Sequence, residues 1–171
     1  MKALIIEDEK AAVRNLMALL GEVDPDIEVI DVLDSITDSV EWFQSHPMPE
    51  LIFLDIHLAD GSAFEIFGHV DISCPIIFTT AYDEYALKAF KVNSVDYLLK
   101  PFEFQDLLKA ADKARRQFEY RLLEQQGEIG NASQIKGDSL FVKSDYRVVR
   151  IDVKNIRYIE GMSEYVRIFV E

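Results

Sequence analysis

The sequence predicts an α/β fold: a five-stranded parallel, doubly wound sheet, then a linker and an incomplete antiparallel all-β segment. Three observations predict it. Short apolar runs alternate five times with stretches whose apolar residues recur at helical spacing, which favours parallel strands joined by right-handed crossover helices. A polar stretch with three glycines follows. Beyond that stretch the apolar period changes to two, which indicates antiparallel strands.

The first half of the sheet is predicted by three apolar runs. Residues 3–6 lead directly into acids, and residues 27–33 alternate with acids. The run that ends at Asp55 is unbroken, as expected of a strand buried on both faces. Between the runs, apolar residues at helical spacing predict a first helix, which Asp24-Pro25 ends, and a second over residues 37–44.

The second half repeats the alternation. An apolar run ending in two threonines predicts the fourth strand, and the run before Lys100-Pro101 predicts the fifth. Helical spacing between and after them predicts three more helices, the last with a long apolar stripe. The remaining predicted strands cover residues 75–80 and 94–99, and the remaining predicted helices cover residues 62–70, 83–91 and 103–125.

The tail differs from the first part in pattern and in charge. Residues 125–138 are polar and glycine-containing, so they predict a linker. Residues 139–171 predict three or four antiparallel strands, too few residues to bury a stable core alone, so we interpret them as an incomplete domain. The predicted domains are therefore 1–124 and 139–171, joined by the linker.

Composition limits the kind of protein. The net charge of −13 resides in residues 1–124, since residues 125–171 carry seven basic and seven acidic residues. Such an acidic first domain argues against a nucleic-acid-binding surface there. The single cysteine, Cys74, cannot form an internal disulfide or a cysteine metal cluster. No apolar run approaches the roughly 20 residues that span a bilayer, and no signal peptide precedes the acids, so we expect a cytoplasmic protein without membrane contact.

Polar side chains follow four of the five predicted strands. Glu7 and Asp8 follow the first strand, Asp55 ends the third, Thr80 ends the fourth and Lys100 follows the fifth. The carboxyl ends of parallel strands meet at one edge of a sheet, so these groups should converge. Clustered carboxylates repel one another, and Mg²⁺, which prefers oxygen ligands, would relieve the repulsion. A carboxylate beside Mg²⁺, an ammonium and a hydroxyl has the parts for phosphoryl transfer to an aspartate.

Two neighbours of Asp55 have more ordinary interpretations. Asp60 is predicted to be a helix N-cap or a solvated turn residue. His57 is predicted to line the mouth of the site, where only its backbone carbonyl could reach the metal. A zinc site is disfavoured because the sequence has no cluster of cysteine and histidine.

Residues 1–124 resemble a bacterial response-regulator receiver domain. The resemblance rests on Glu7-Asp8, Asp55, Thr80-Ala81 and Lys100-Pro101-Phe102. It implies that Asp55 accepts a phosphoryl group from a sensor histidine kinase, with Mg²⁺ held by Glu7, Asp8, Asp55 and the His57 carbonyl. It also implies a cis Lys-Pro bond. Such a protein is a regulator that catalyses only its own phosphorylation and dephosphorylation.

The resemblance further implies a switch. In this family the threonine hydroxyl moves inward on phosphorylation, and an aromatic residue three positions before the lysine rotates into the space. In this sequence these residues are Thr80 and Tyr97. The surface that responds would be residues 83–124, through which a homodimer is expected.

The tail is similar to the start of a LytTR-type DNA-binding domain. The segments that carry the similarity are residues 140–143, 149–152, 156–161 and 164–168. It implies a transcription regulator whose complete output domain binds DNA. The loops expected to read DNA lie beyond the similarity, so the DNA-binding residues stay unknown.

Three other functions compete with this interpretation. A phosphatase of haloacid-dehalogenase type needs an Asp-x-Asp pair after the first strand, and His57 stands two positions after Asp55. A flavodoxin-type cofactor binder needs a phosphate loop after the first strand, where this sequence has acids. The third alternative, a receiver that signals by protein contact without binding DNA, stays open.

Overall fold

The computed structural model describes residues 1–82, 94–125, 135–136, 139–144, 147–162 and 165–170. By its contacts the chain divides into two compact units, Met1–Phe118 and Glu119–Glu171. The domain division predicted after residue 124 stays a prediction. The helix predicted over residues 83–91 lies outside the described residues.

A five-stranded parallel sheet forms the centre of the first unit, in the order β2-β1-β3-β6-β7. Its strands pair in parallel throughout, which is the doubly wound α/β architecture that the sequence predicts. The strands are β1 Lys2–Ile6, β2 Glu28–Leu33, β3 Leu51–Leu54, β6 Ile76–Thr80 and β7 Ser94–Leu99. The helices are α1 Lys10–Val23, α2 Ile36–Ser45 and α3 Phe104–Gln125.

Both faces of the sheet are buried. Successive strand residues point to opposite faces, so each central strand contributes to two apolar clusters. On one face Leu4 and Ile6 pack with Trp42 of α2. On the other face Ala3 and Ile5 pack with residues of α1 and α3, among them Leu16. Because all four residues of β3 are buried, the position just after it is held within a rigid frame.

The segment after β3 differs from the prediction. Instead of an α-helix over residues 62–70, a small antiparallel hairpin of β4 His57–Leu58 and β5 Gly61–Ser62 leads into a 3₁₀ helix at Ala63–Gly68. The tighter 3₁₀ repeat aligns residues three apart, and Ala63 and Ile66 are the buried residues of this turn. Strand β5 includes Ser62, the residue at which the predicted α-helix begins, so the observed helix starts one residue later.

The second unit contains two antiparallel sheets among its described residues. One sheet has the order β10-β9-β8 and the other pairs β11 with β12. The strands are β8 Ile135–Lys136, β9 Ser139–Ser144, β10 Arg147–Asp152, β11 Ile156–Met162 and β12 Tyr165–Val170. The period of two therefore predicts the strands correctly. Within the segment predicted as a linker, Ile135–Lys136 pairs with the start of β9, and the bounds of the linker stay a prediction.

Candidate functional site

The carboxyl ends of β1, β3, β6 and β7 lie side by side and bring polar residues to one edge of the sheet. Backbone hydrogen bonds continue the strand pairing into the site. The Asp55 N–H donates to the Ile6 carbonyl at 2.9 Å, and the Lys100 N–H donates to the Thr80 carbonyl at 2.8 Å. The exposed fraction is 4% for Glu7, 7% for Asp55 and 0% for Thr80. The site is therefore largely shielded from solvent on a backbone that the sheet holds in place.

Three carboxylates lie together at this edge. Glu7, Asp8 and Asp55 each offer an oxygen, and these atoms lie within 4.8 Å of one another. Asp8 is the most exposed of the three. Carboxylate oxygens at such spacing match the preference of Mg²⁺ for a small number of acidic ligands, with water completing its coordination.

One ammonium group partly balances this charge. The Lys100 Nζ lies 2.5 Å from Oε2 of Glu7 and 2.7 Å from Oδ2 of Asp55. The peptide bond that joins Lys100 to Pro101 is cis. Three carboxylates and one ammonium leave negative charge in a buried place, so the donor set fits a divalent cation.

The pKa values of two groups respond to this arrangement. Burial raises the pKa of Glu7, and the nearby charge of Asp55 adds to this, against the hydrogen bond from Lys100. Burial acts to lower the pKa of Lys100, but hydrogen bonds to Asp55 and Glu7 outweigh it, and the pKa is raised. Lys100 therefore stays charged, while Glu7 carries its negative charge at a cost.

Thr80 and Tyr97 are linked through the segment that follows β6. The Tyr82 N–H donates to Oγ1 of Thr80 at 3.4 Å. The Tyr97 hydroxyl donates to the Tyr82 carbonyl, and its ring centroid lies 6.3 Å from that of Phe78. A change at Thr80 would therefore reach Tyr97 through one short stretch of backbone. Residues 83–93 of the predicted output surface lie outside the described residues.

His57 lies beside Asp55 through its backbone. Its N–H donates to Oδ1 of Asp55 at 3.2 Å, so the two carboxylate oxygens of Asp55 are held by different partners, His57 and Lys100. The His57 ring packs edge to face on Tyr82, with centroids 4.5 Å apart. The backbone of His57 is thus beside Asp55 through its N–H, and the contact of its carbonyl with a metal stays a prediction.

Asp60 caps the N-terminus of α2, a helix that precedes it in the sequence. Its Oδ1 accepts from the Ile36 N–H at 2.8 Å, and its Oδ2 accepts from the Thr37 N–H at 3.1 Å and from the Thr37 hydroxyl at 3.3 Å. Hydrogen bonds from the Ile36 and Thr37 backbone lower the pKa of Asp60. The Asp60-Gly61 pair is a general turn signal, and it is the sequence feature that could have indicated a turn here, although Gly61 already belongs to β5.

Within the described residues, the helices are either too short or too polar to cross a membrane.

Similar proteins are known. Residues 3–112 match the response regulator receiver domain family. The chain is 32% identical over 174 residues to the sensory transduction protein LytT of Enterococcus faecalis, covering 100% of this chain and 69% of LytT. It is 33% identical over 166 residues to the transcriptional regulatory protein LytR of Staphylococcus aureus, covering 91% of this chain and 64% of LytR. The chain thus spans about two thirds of the length of these relatives.

The fold is also found in solved structures. The response regulatory domain of protein mrkE from Klebsiella pneumoniae superposes with a TM-score of 0.63 at 27% identity, covering 70% of this chain and 98% of that domain. This match and the strand order confirm the predicted fold class. The family match extends over more than half of the sequence. The chain therefore belongs to the response regulator receiver family.

Proposed function

We propose that Asp55 is the phosphoacceptor of a two-component response regulator and receives its phosphoryl group from a sensor histidine kinase. One observation carries the proposal: three carboxylates lie within 4.8 Å of one another, and an ammonium group contacts two of them. Asp55 is the member of this group at the end of the central strand β3, between β1 and β6. Lys100, which contacts both Glu7 and Asp55, supplies charge compensation.

In the proposed reaction an oxygen of Asp55 attacks phosphorus while the bond between phosphorus and the donor atom breaks, and the donor leaves with the electron pair of that bond. Glu7, Asp8, Asp55 and the His57 carbonyl would hold Mg²⁺, which neutralises charge on the phosphoryl oxygens when bound. Lys100 would pair with one phosphoryl oxygen and Thr80 would donate a hydrogen bond to another. The protein acts in this way on itself and on no other substrate.

Switching is proposed to start at Thr80. Movement of its hydroxyl toward the phosphoryl group would shift the backbone of Tyr82, which holds the Tyr97 hydroxyl. Tyr97 lies on β7, which is part of the 83–124 surface. We propose that this surface pairs two copies of the protein in response.

The proposed output is control of transcription by a LytTR-type domain. The antiparallel strands of the second unit support an all-β output module, and one relative is a transcriptional regulatory protein. We propose domain bounds of 1–124 and 139–171, the second being the start of the DNA-binding domain. A regulator that meets a sensor kinase and DNA would work in the cytoplasm.

Labelling with acetyl phosphate tests the phosphoacceptor. The wild-type protein should gain about 80 Da, the mass that one phosphoryl group adds, in intact-mass measurements when Mg²⁺ is present, and it should stay unlabelled when EDTA is added before acetyl phosphate. Asp55→Asn should not be labelled. Asp71→Asn, outside the site, is the matched control and should label as the wild type does. Magnesium-dependent labelling of Asp55→Asn would contradict the assignment.

A second measurement tests the switch. Tyr97→Ala should still be labelled by acetyl phosphate but should dimerise less when beryllofluoride and Mg²⁺ are added, as measured by sedimentation. Tyr97→Phe keeps the ring and removes only the hydroxyl that bonds Tyr82, so it separates the two contributions. Dimerisation that is unchanged in both variants would remove Tyr97 from the switch.

A further inference from the structure

The first turn of α2 is held by two side chains with different connections to the rest of the molecule. The Ser35 hydroxyl accepts from the Asp38 N–H at 3.1 Å and lies next to the helix in sequence. Asp60, 23 and 24 residues further on, accepts from the first two helical N–H groups. These three N–H groups have no partner inside a helix, so Asp60 and Ser35 together satisfy them. Of these two capping side chains, Asp60 is the one that belongs to a different segment of the chain.

That segment is the β4–β5 hairpin beside Asp55. Asp60 is the second residue of its turn, between Leu58 and Gly61, which pair across the strands. His57 is the other end of the hairpin and pairs with Ser62. The His57 N–H donates to Oδ1 of Asp55. A short path therefore connects the α2 N-terminus to the Asp55 carboxylate, through the Asp60 side chain, the hairpin backbone and the His57 N–H.

Gly61 shows that the hairpin is pressed against α2. Its φ is +147°, a conformation that favours glycine. A Cβ at this position would lie 3.1 Å from Cδ1 of Ile36 and 3.1 Å from Oε1 of Glu65. Ile36 also donates its N–H to Asp60. Contact at two consecutive residues leaves little freedom for the turn to shift along the helix.

We propose that Asp60 is a positioning residue for the metal and phosphoryl site: by binding the N-terminus of α2 it holds the hairpin, and through the His57 backbone it orients Asp55. The inference rests on the proposed function, since it concerns Mg²⁺ binding by the same carboxylates. Asp60 itself does not touch the ion or the phosphoryl group. Its effect is to limit the conformations in which Asp55 and the His57 carbonyl face away from the cation.

Urea unfolding at a series of Mg²⁺ concentrations tests the proposal. The free energy of unfolding without Mg²⁺ gives the stability of the metal-free protein, and its increase with Mg²⁺ concentration gives the Mg²⁺ affinity. Asp60→Ala should lower the free energy of unfolding in EDTA, and it should also lower the Mg²⁺ affinity by about tenfold. A tenfold change is the lower end of the effects of residues that orient metal ligands. Ser35→Ala is the matched control, since it removes a cap from the same turn without touching the hairpin. It should lower stability to a similar extent and leave the Mg²⁺ affinity within twofold of wild type.

Two further variants sharpen the test. Gly61→Ala keeps the Asp60 carboxylate but forces the hairpin off Ile36, so it should weaken Mg²⁺ binding as Asp60→Ala does. Asp60→Asn keeps one acceptor oxygen, so its Mg²⁺ affinity should lie between that of Asp60→Ala and that of the wild type. Equal Mg²⁺ affinity in wild type, Asp60→Ala and Gly61→Ala would overturn the positioning role and leave the proposed function intact. Failure of the wild-type protein to bind Mg²⁺ would overturn both.

Discussion

The sheet edge and the N-terminus of α2 both hold acidic side chains, and they compensate negative charge in opposite ways. Asp60 is exposed and accepts hydrogen bonds from two backbone N–H groups at the positive end of a helix. Glu7 is buried beside other carboxylates and has Lys100 as its cationic partner. The pKa shifts follow, lowered for Asp60 by its backbone donors and raised for Glu7 by burial. The negative charge of Asp60 is stabilised by backbone hydrogen bonds, whereas the three carboxylates at the sheet edge have only one ammonium beside them among the described residues.

The difference distinguishes an acid that holds a helix in place from the acids that we propose bind Mg²⁺. Backbone amides stabilise a carboxylate without offering a place for a ligand, because their geometry is fixed by the helix. At the sheet edge the carboxylate oxygens can instead bind an incoming cation, and the Lys100 ammonium can pair with a phosphoryl oxygen. The incomplete balance at the edge of the sheet is therefore the feature on which binding depends, and it should lower the stability of the metal-free protein.

Removal of Lys100 should have the largest effect on stability. Lys100→Met leaves Glu7 and Asp55 buried without their ammonium, and we expect a loss of about 2 kcal/mol in unfolding free energy in EDTA at pH 7.5, below the range for a fully buried pair because the site is partly solvated. Added Mg²⁺ should recover part of the loss. Urea denaturation measures both.

Lys113 offers a matched control. Its Nζ lies 2.7 Å from Oδ2 of Asp96, the same distance as between Lys100 and Asp55, but half of its side chain is exposed. Lys113→Met should cost less than about 1 kcal/mol, as exposed ion pairs do. Equal losses of unfolding free energy in the two variants would show that the buried ion pairs of Lys100 stabilise the protein no more than the exposed ion pair of Lys113.

Asp8 should separate binding from stability. Asp8→Asn removes one carboxylate of the three, so Mg²⁺ affinity should fall by at least about tenfold, or about 1.4 kcal/mol. In EDTA the variant has less repulsion among the carboxylates, so it should be slightly more stable than the wild type. The gain should be less than about 1 kcal/mol in unfolding free energy, because Asp8 is the most exposed of the three. Calorimetric Mg²⁺ titration and urea unfolding give the two quantities.

Glu9→Gln is the control for Asp8. Glu9 is adjacent and exposed, and it contributes its backbone N–H to Glu7 rather than its carboxylate to the site. Glu9→Gln should therefore leave the Mg²⁺ affinity unchanged. Equal losses of affinity in both variants would indicate a general effect of net charge rather than a metal ligand.

The sequence predicts the sheet edge better than its surroundings, for physical reasons. Asp55 and Lys100 each follow an apolar strand, and parallel pairing then brings strand ends together whatever the helices do. The partners of Asp60 are backbone N–H groups at residues 36 and 37, and backbone donors have no sequence signature. The 3₁₀ helix after the hairpin was missed because Phe64, Ile66 and Phe67 fit an α-helical pattern equally well over so short a stretch.

The smallest expected effect is on pH dependence, where Glu7 and Asp60 should act with opposite signs. The folded-state pKa of Glu7 lies above its usual value of 4.5, so its contribution to stability weakens as pH rises from 4.5 through that pKa. The folded-state pKa of Asp60 lies below its usual value of 3.8, so its contribution is present above 3.8 and is lost as pH falls through that lower pKa.

Glu7→Gln should therefore gain stability relative to wild type as pH rises above 4.5. Asp60→Asn should lose stability relative to wild type as pH rises to 3.8 and stay lower above it. Each variant removes one carboxylate, so the change in net charge is matched. Urea unfolding in EDTA between about pH 3 and pH 8 measures both curves, and shifts of the same sign would contradict the distinction between the two acids.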